Sequence, residues 1–147
     1  NTALSAEEYE PPATTDAWQK NVTEMTPYLG KQANPYDYGW LVEMAPDVNG
    51  DSAGSVIEKR HAMGRFSHEM AAIAPDKKTA YHGDDGTGVV LFKSVADKAG
   101  DLGAGTLYAA KVKQNQDGSL DLTWIKLGQS DDDKIAEAIA AIKLPSK

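Results

Sequence analysis

The sequence predicts a mainly β protein, in which antiparallel strands form about two blades or a partial β-propeller, with a short helix near each end. Between residues 36 and 128, short apolar segments alternate with turn sequences at a spacing of about 8 to 14 residues, which is typical of antiparallel strands. The turn sequences are rich in Pro, Asp, Asn and Gly. Apolar residues recur at helical spacing only towards the two ends of the chain.

The chain divides into a flexible lead-in, residues 1–15, and a single β-rich domain, residues 16–147. The lead-in is acidic and ends near two prolines, which predicts a poorly ordered segment without an element of its own. A helix is predicted from Asp16, a suitable N-cap, with its apolar positions at Trp18, Val22, Met25 and Leu29. Pro27 and Gly30 are expected to end this helix early.

Seven apolar segments predict the strands. They are YGWLVEMAP, SVIEKRHAMGRF, MAAIAP, KTAYHG, GVVLFKSV, GTLYAAKV and LDLTWIKL. The turn sequences at 75–78, 85–88 and 115–118 separate them, so strand, turn, strand is the repeated unit. About 85 residues of this pattern correspond to roughly two propeller blades. The open edges of such a sheet predict pairing with a second chain, as in a homodimer.

The last segment changes to a helical period. Asp131, Asp132 and Asp133 precede the apolar positions Ile135, Ile139 and Ile142. Acidic residues are favourable at the positive end of a helix, so this cluster predicts a helix N-terminus in preference to a cation site.

Composition excludes several classes of function. The 147 residues carry 15 basic and 22 acidic side chains, a net charge of −7, which leaves no basic surface for nucleic acid. No apolar run approaches the roughly 20 residues that a membrane span needs. The absence of cysteine excludes disulfides and thiolate metal sites. Carboxylates are the abundant metal ligands, and their oxygen atoms suit calcium.

The densest polar cluster predicts a site at one end of a hairpin. His68 and Glu69 begin one predicted strand, and Asp84 and Asp85 end the next. If the two strands pair around the turn at 75–78, these four residues lie at the same end of the sheet. Carboxylates that converge there repel one another unless a cation such as Ca²⁺ neutralises them. The alternative is a solvent-exposed turn at the two aspartates, with His68 capping a strand end.

A second candidate cation site lies in the loop that contains Asp47, Asn49 and Asp51. Together with Glu58 at the twelfth position, these residues match several ligand positions of an EF-hand loop. Ser52 occupies the sixth position, where that loop requires glycine, and no helix is predicted before it. A polar loop between strands explains the pattern better.

The chain resembles the PhoX-type alkaline phosphatase family of bacteria. The resemblance rests on YGWLVEMAP, on KRHAMGRFSHE and on AYHGDDGTGVVLFKSVADKAGDLGAGTLYAAKV, which occur in the family's order and cover about residues 36 to 128. It implies a β-propeller phosphomonoesterase, periplasmic or secreted, with calcium and iron at its active site. Clustered cations would hold the phosphate oxygens and neutralise charge in the transition state.

The resemblance also assigns residues. The family's metal-binding glutamate in the R-F-x-H-E segment corresponds to Glu69, which it makes both the catalytic candidate and a metal ligand. The aspartates of its G-D-D turn correspond to Asp84 and Asp85, one of which is expected to bind calcium. Glu69, Asp84 and Asp85 are also the carboxylates that the predicted hairpin brings to one end of the sheet.

The sequence departs from the family at the iron centre, because the family's cysteine ligand to Fe³⁺ has no counterpart here. We therefore expect a central fragment of a longer phosphatase that has little or no activity alone. The substrate of the complete enzyme would be a phosphate ester. The alternative function is a non-catalytic, calcium-stabilised β scaffold or binding domain.

Overall fold

Two antiparallel sheets and two helices make up the computed structural model, which describes residues 2–8, 10, 16–46 and 55–142. One sheet has three strands, β1 (Ala3–Ala6), β2 (Leu41–Pro46) and β3 (Ser55–Lys59), in that order. The other has five strands in sequence order, β4 (His68–Ile73), β5 (Thr79–Asp84), β6 (Leu91–Lys98), β7 (Asp101–Gln114) and β8 (Leu120–Asp131). The helices are α1 (Asp16–Leu29) and α2 (Asp132–Ala140). The prediction of a mainly β fold with a helix near each end is confirmed.

The prediction that residues 1–15 contain no element of secondary structure is wrong, because strand β1 lies within them. This strand pairs with β2 in a register that sets Ala3 opposite Met44. Its side chains alternate, and Leu4 and Ala6 pack against the core. A four-residue strand leaves little periodic signal in the sequence, and its backbone partners lie about forty residues away along the chain. The assignment of residues 16–147 to a single domain stays a prediction.

Helix α1 begins at Asp16, as predicted, but continues through Pro27 to Leu29. A proline in the last turn removes a single backbone donor, which is a smaller loss than in the middle of a helix. The hydroxyl of Thr26 donates to the Val22 carbonyl at 2.6 Å and thereby supplies a further hydrogen bond to this turn. Gly30, with a φ of 65°, lies just beyond the end, where a left-handed residue commonly terminates a helix.

Helix α2 confirms the role predicted for the three aspartates. Asp131 is the N-cap, and its Oδ1 accepts a hydrogen bond from the Lys134 backbone N–H at 2.9 Å. Asp132 and Asp133 occupy the first turn, where carboxylates complement the positive end of the helix.

The core lies between the two sheets. Leu41 of β2, Ala80 of β5 and Ala96 of β6 are buried in one cluster with Leu102 of β7. Met63, from a single 3-10 turn between the sheets, fills the space among them. The small side chains of Ala80 and Ala96 leave room for Met63 and Leu41 against the five-stranded sheet. This arrangement of two packed sheets is compatible with propeller blades, and the propeller itself stays a prediction.

Gly105 of β7 lies close against the backbone of β6. A Cβ atom at this position would lie 2.5 Å from the Val95 carbonyl oxygen and 2.9 Å from the Ala96 Cα. We expect Gly105→Ala to lower the free energy of unfolding by about 1 to 3 kcal/mol, because backbone atoms must move to admit the methyl group. Gly128→Ala is the matched control, since a Cβ there meets nothing within 4 Å, and its effect should stay within about 0.5 kcal/mol. Urea unfolding measures both, and equal losses would contradict the close-approach argument.

Candidate functional site

The β4–β5 hairpin brings the predicted site residues to one end of the five-stranded sheet. His68 lies directly opposite Asp84 in the antiparallel ladder, and Asp85 follows at the strand end. Asp76 holds the connecting turn, because its Oδ1 accepts the backbone N–H groups of Lys78 and Thr79, each at 2.9 Å. The prediction that these residues lie at the same end of the sheet is therefore confirmed.

A β-bulge sets the position of Glu69. The register of the β4–β5 ladder shifts between His68 and Met70, so Glu69 has no direct partner on β5. A bulge turns the local backbone and re-aims the side chain of the extra residue. The Glu69 side chain is exposed at this point.

Ser67 holds the two aspartates in place. Its backbone N–H donates to Asp84 Oδ1 at 3.2 Å, and its carbonyl accepts the Asp85 N–H at 2.9 Å. Its hydroxyl donates to the Glu8 carbonyl. The Asp84 side chain is half-buried, whereas Asp85 is exposed. One oxygen of Asp84 is thus oriented by the protein backbone.

Two buried histidines lie beneath this sheet end, in a stack of four rings. The His68 ring lies 3.7 Å from the Phe66 ring and 5.6 Å from the His82 ring, and Phe92 stacks on Phe66 at 4.0 Å. His68 Nε2 lies 3.1 Å from the Gly64 carbonyl oxygen. His82 Nε2 lies 2.8 Å from the hydroxyl oxygen of Ser94. Among the described residues, neither Nδ1 has a hydrogen-bond partner.

Both histidines are held neutral. Burial lowers the pKa of His68 from 6.5 to about 4, against the opposing effects of the Gly64 carbonyl and the Asp84 charge. Burial, followed by the proximity of His68, lowers the pKa of His82 to about 3. These rings therefore act as packed aromatic groups near neutral pH. The sequence analysis assigned no role to His82. Its alternation with buried Ala80 on β5 is the signal that could have located it.

Carboxylate oxygens at the hairpin end have the right chemistry for a hard cation such as calcium. Within residues 2–8, 10, 16–46 and 55–142, however, no three His, Asp or Glu side chains are gathered closely enough to hold a metal ion. The donor atoms thus fit calcium in kind, but the described part of the chain does not complete its coordination. The roles of Glu69, Asp84 and Asp85 as metal ligands stay predictions.

The second candidate loop falls mainly outside the described residues, since Asp47, Asn49 and Asp51 lie in the segment 47–54. Glu58 is described, and it is the second-last residue of β3. Its carboxylate pairs with Arg60 Nη2 at 2.6 Å. Glu58 therefore takes part in an ion pair in this structure.

Arg60 is the centre of a charged cluster that the sequence analysis did not identify. Besides Glu58, it binds Glu43 Oε2 through Nε at 2.6 Å and Asp132 Oδ2 through Nη1 at 3.1 Å. Asp132 Oδ1 also accepts the Ala62 backbone N–H at 2.7 Å. The cluster ties β2 and the first turn of α2 to the segment after β3. No local pattern could have revealed contacts between residues so distant along the chain.

A family model described as alkaline phosphatase PhoX matches residues 1–144. The chain belongs to this family. The match extends well beyond residues 36 to 128, where the motifs resembled the family, and includes β1 and both helices. Membership in the PhoX family supports an alkaline phosphatase-like function, with phosphate esters as the substrate class.

Comparisons with curated proteins and with solved structures gave no match. Among the described residues of this PhoX family member, no helix is long and apolar enough to cross a membrane.

Proposed function

We propose that the β4–β5 hairpin end supplies carboxylate ligands to the calcium centre of a phosphomonoesterase. Glu69, Asp84 and Asp85 are the proposed ligands, with Glu69 in the catalytic role. The observation that carries the proposal is the direct pairing of His68 with Asp84, which sets the family's two acidic motifs side by side. The PhoX family match supports the assignment.

The local structure favours a role in cation binding over a plain turn. The exposed Glu69 occupies a bulge, an irregularity that is common next to active sites. Asp84 is half-buried and has one oxygen held by the Ser67 N–H, which leaves its remaining lone pairs for a further ligand. Carboxylates concentrated at one strand end are stabilised by a divalent cation, because it removes their mutual repulsion.

Calcium bound here would supply positive charge to hold phosphate oxygens and to stabilise the charge that develops in the transition state. The protein's own contribution is orientation. Ser67 orients the Asp84 carboxylate through its N–H and holds the Asp85 backbone through its carbonyl. The buried rings of His68 on β4 and His82 on β5 stack with their centroids 5.6 Å apart.

Iron does not fit the residues of this chain in the same way, since these 147 residues contain no cysteine. We assign no step to iron. The proposal includes further ligands from outside the described residues, because the described carboxylates do not by themselves gather around one point. It also places the complete enzyme in the periplasm or outside the cell, in keeping with the PhoX resemblance.

Calorimetric titration of the chain with CaCl₂ tests the proposal. We expect micromolar binding, and a loss of affinity of about tenfold or more in each of Glu69→Gln, Asp84→Asn and Asp85→Asn, since every removed carboxylate weakens a hard-cation site. Asp121→Asn is the matched control, because Asp121 is an exposed carboxylate on strand β8, and it should leave the affinity unchanged. Absence of binding, or equal affinity in all variants, would contradict the proposed site.

The alternative function is a calcium-stabilised scaffold without catalysis. It is favoured by the lack of a counterpart, in these 147 residues, to the family's cysteine ligand for iron. Hydrolysis of p-nitrophenyl phosphate by the complete gene product separates the two functions. Calcium-dependent turnover that is lost in Glu69→Gln supports the phosphatase, whereas calcium binding without turnover supports the scaffold. The isolated 147-residue chain is expected to show little or no turnover.

A further inference from the structure

Residues 64–67, which we call the connector, join the 3-10 turn at His61–Met63 to strand β4. Gly64 begins the connector with a φ of 95°, a left-handed conformation that glycine adopts without strain. A Cβ atom at Gly64 would lie 2.7 Å from a methyl carbon of Leu107, so the connector lies close against β7. Because the connector leads directly into β4, its position affects the proposed ligand Glu69.

One side of the connector is bonded to the hairpin that carries the proposed ligands. The Ser67 N–H donates to Asp84 Oδ1 at 3.2 Å, and the Ser67 carbonyl accepts the Asp85 N–H at 2.9 Å. A hydrogen bond fixes two groups relative to each other, and not relative to the rest of the protein. The orientation of the Asp84 carboxylate in the fold therefore depends on how firmly Ser67 itself is anchored.

The other side of the connector is anchored by Arg65. Its Nε donates to the Tyr38 carbonyl at 2.8 Å, and its Nη2 donates to the Pro35 carbonyl at 3.0 Å. The guanidinium carbon also lies 5.1 Å from the centre of the Tyr36 ring, a distance at which a cation is attracted to the ring face. Arg65 thereby binds the segment 35–39 at two carbonyls, which suits the planar guanidinium better than a single ammonium group.

The segment 35–39 is a firm anchor, because each of its carbonyl groups accepts a hydrogen bond from another part of the chain. Besides the bonds from Arg65, the donors are the Trp40 indole N–H to Tyr36 at 2.8 Å, the Lys59 ammonium to Asp37, and the Phe66 backbone N–H to Gly39 at 3.1 Å. Pro35 begins the 3-10 turn of this segment and restricts its backbone further. The connector is thus bonded to a well-fixed part of the fold.

The charge of Arg65 makes its hydrogen bonds strong. The side chain is half-buried, and hydrogen bonds from an ionised donor are shorter and stronger than those from a neutral one. Burial lowers the pKa of Arg65 from its ordinary value, and the negative charge of Glu10 opposes that effect. An arginine side chain stays protonated in proteins, so these bonds persist across the physiological pH range.

We propose that Arg65 is a positioning residue for the hairpin end. It fixes the connector to the segment 35–39, and through Ser67 it fixes the orientation of the Asp84 carboxylate. The inference rests on the proposed calcium site and adds to it a residue that does not touch the cation. The hydrogen bonds of Arg65 to Pro35 and Tyr38 go to backbone carbonyls, so they do not occupy the oxygen atoms of a proposed ligand.

Amide hydrogen exchange in the absence of calcium tests the anchoring itself. In Arg65→Met we expect the Ser67 and Asp85 amides to exchange about tenfold faster or more, because both donate hydrogen bonds within the network that Arg65 anchors. Arg60→Met is the matched control, since it also removes a largely buried guanidinium. The partners of Arg60 are Glu43, Glu58 and Asp132. In this control the two amides should exchange as they do in the unaltered chain.

Calorimetric titration with CaCl₂ tests the consequence for the site. Arg65→Met is expected to raise the calcium dissociation constant by about tenfold, the lower end of the effect of outer-shell partners, because Arg65 acts through Ser67. Arg60→Met is expected to leave the dissociation constant unchanged, although it also destabilises the fold. A loss of affinity in Arg65→Met alone therefore distinguishes positioning from general stability.

Arg65→Lys is a milder variant, which keeps the charge but cannot donate to both carbonyls in the fixed geometry of a guanidinium. Its exchange rates and calcium dissociation constant should lie between those of the unaltered chain and Arg65→Met. Normal calcium binding and normal exchange in both variants at Arg65 would overturn the role of Arg65 alone. Equal effects in Arg60→Met would also overturn it. Absence of calcium binding by the unaltered chain would contradict the proposed function, and this role of Arg65 with it.

Discussion

Acidification from pH 6.5 towards pH 4 is expected to lower the free energy of unfolding by about 1 to 3 kcal/mol for each pH unit. The cause is the buried pair His68 and His82. Burial lowers the pKa of His68 to about 4 and that of His82 to about 3, whereas both rings titrate near 6.5 in the unfolded chain. Between these values the unfolded chain binds more protons than the folded chain. The stability contributed by the neutral rings is therefore complete above pH 6.5 and is lost as the pH falls.

The surroundings of the pair explain why the folded protein does not take up these protons. Asp84 and Glu7 favour the protonated form of His68, but the effect of burial is larger. His82 has no such compensation, because its largest influences, burial and the neighbouring His68, both favour the neutral ring. A proton on either ring would place a charge within a stack of aromatic side chains.

Urea unfolding at pH 7.5, 6 and 5 measures this effect. The double variant His82→Phe with Ser94→Ala removes one titrating ring together with its hydroxyl partner, and it should reduce the dependence on pH by about half. The unaltered chain and the double variant have the same carboxylates. The difference between their pH profiles of unfolding free energy therefore reports the contribution of His82. Parallel profiles for the two proteins would contradict the assignment.

Replacement of Arg60 by methionine is expected to cost about 3 kcal/mol of unfolding free energy. The Arg60 side chain is 15% exposed, and its partners Glu43 and Asp132 are 11% and 16% exposed. Removal of the guanidinium would leave two largely buried carboxylates without a positive partner. Loss of one partner of a buried ion pair is strongly destabilising. Because Asp132 lies in the first turn of α2, that helix should detach first.

Lys134→Met is the matched control for this prediction. Lys134 also pairs with an aspartate in the same region, Asp131, but its side chain is 74% exposed. Water screens exposed ion pairs, so they contribute little to stability, and the control should unfold almost as the unaltered chain does. Addition of Glu43→Gln to Arg60→Met should recover part of the loss. Equal stabilities for Arg60→Met and Lys134→Met would contradict the importance of the cluster.

The candidate site could be predicted because its two halves are connected by a short hairpin. The turn residues at 75–78 and the period-two pattern on either side determine the register, and the register sets His68 opposite Asp84. The sequence did not predict the bulge at Glu69, which is a one-residue shift in the register of the β4–β5 ladder. It did not predict the ring stack either, because that stack depends on the packing of Phe66 against His68 and Phe92.

The sequence by itself determined the strands of the larger sheet, the start of each helix and the position of the acidic motifs at one end of the hairpin, because each depends on residues that are near one another along the chain. Only the tertiary structure decided the pairing of β1 with β2, the continuation of α1 through Pro27 and the ion cluster at Arg60. These features arise from contacts over long sequence separations or from local compensation by a hydroxyl group. Arg60 and Asp132, for example, are 72 residues apart, and only packing of the two sheets and α2 brings their charges together.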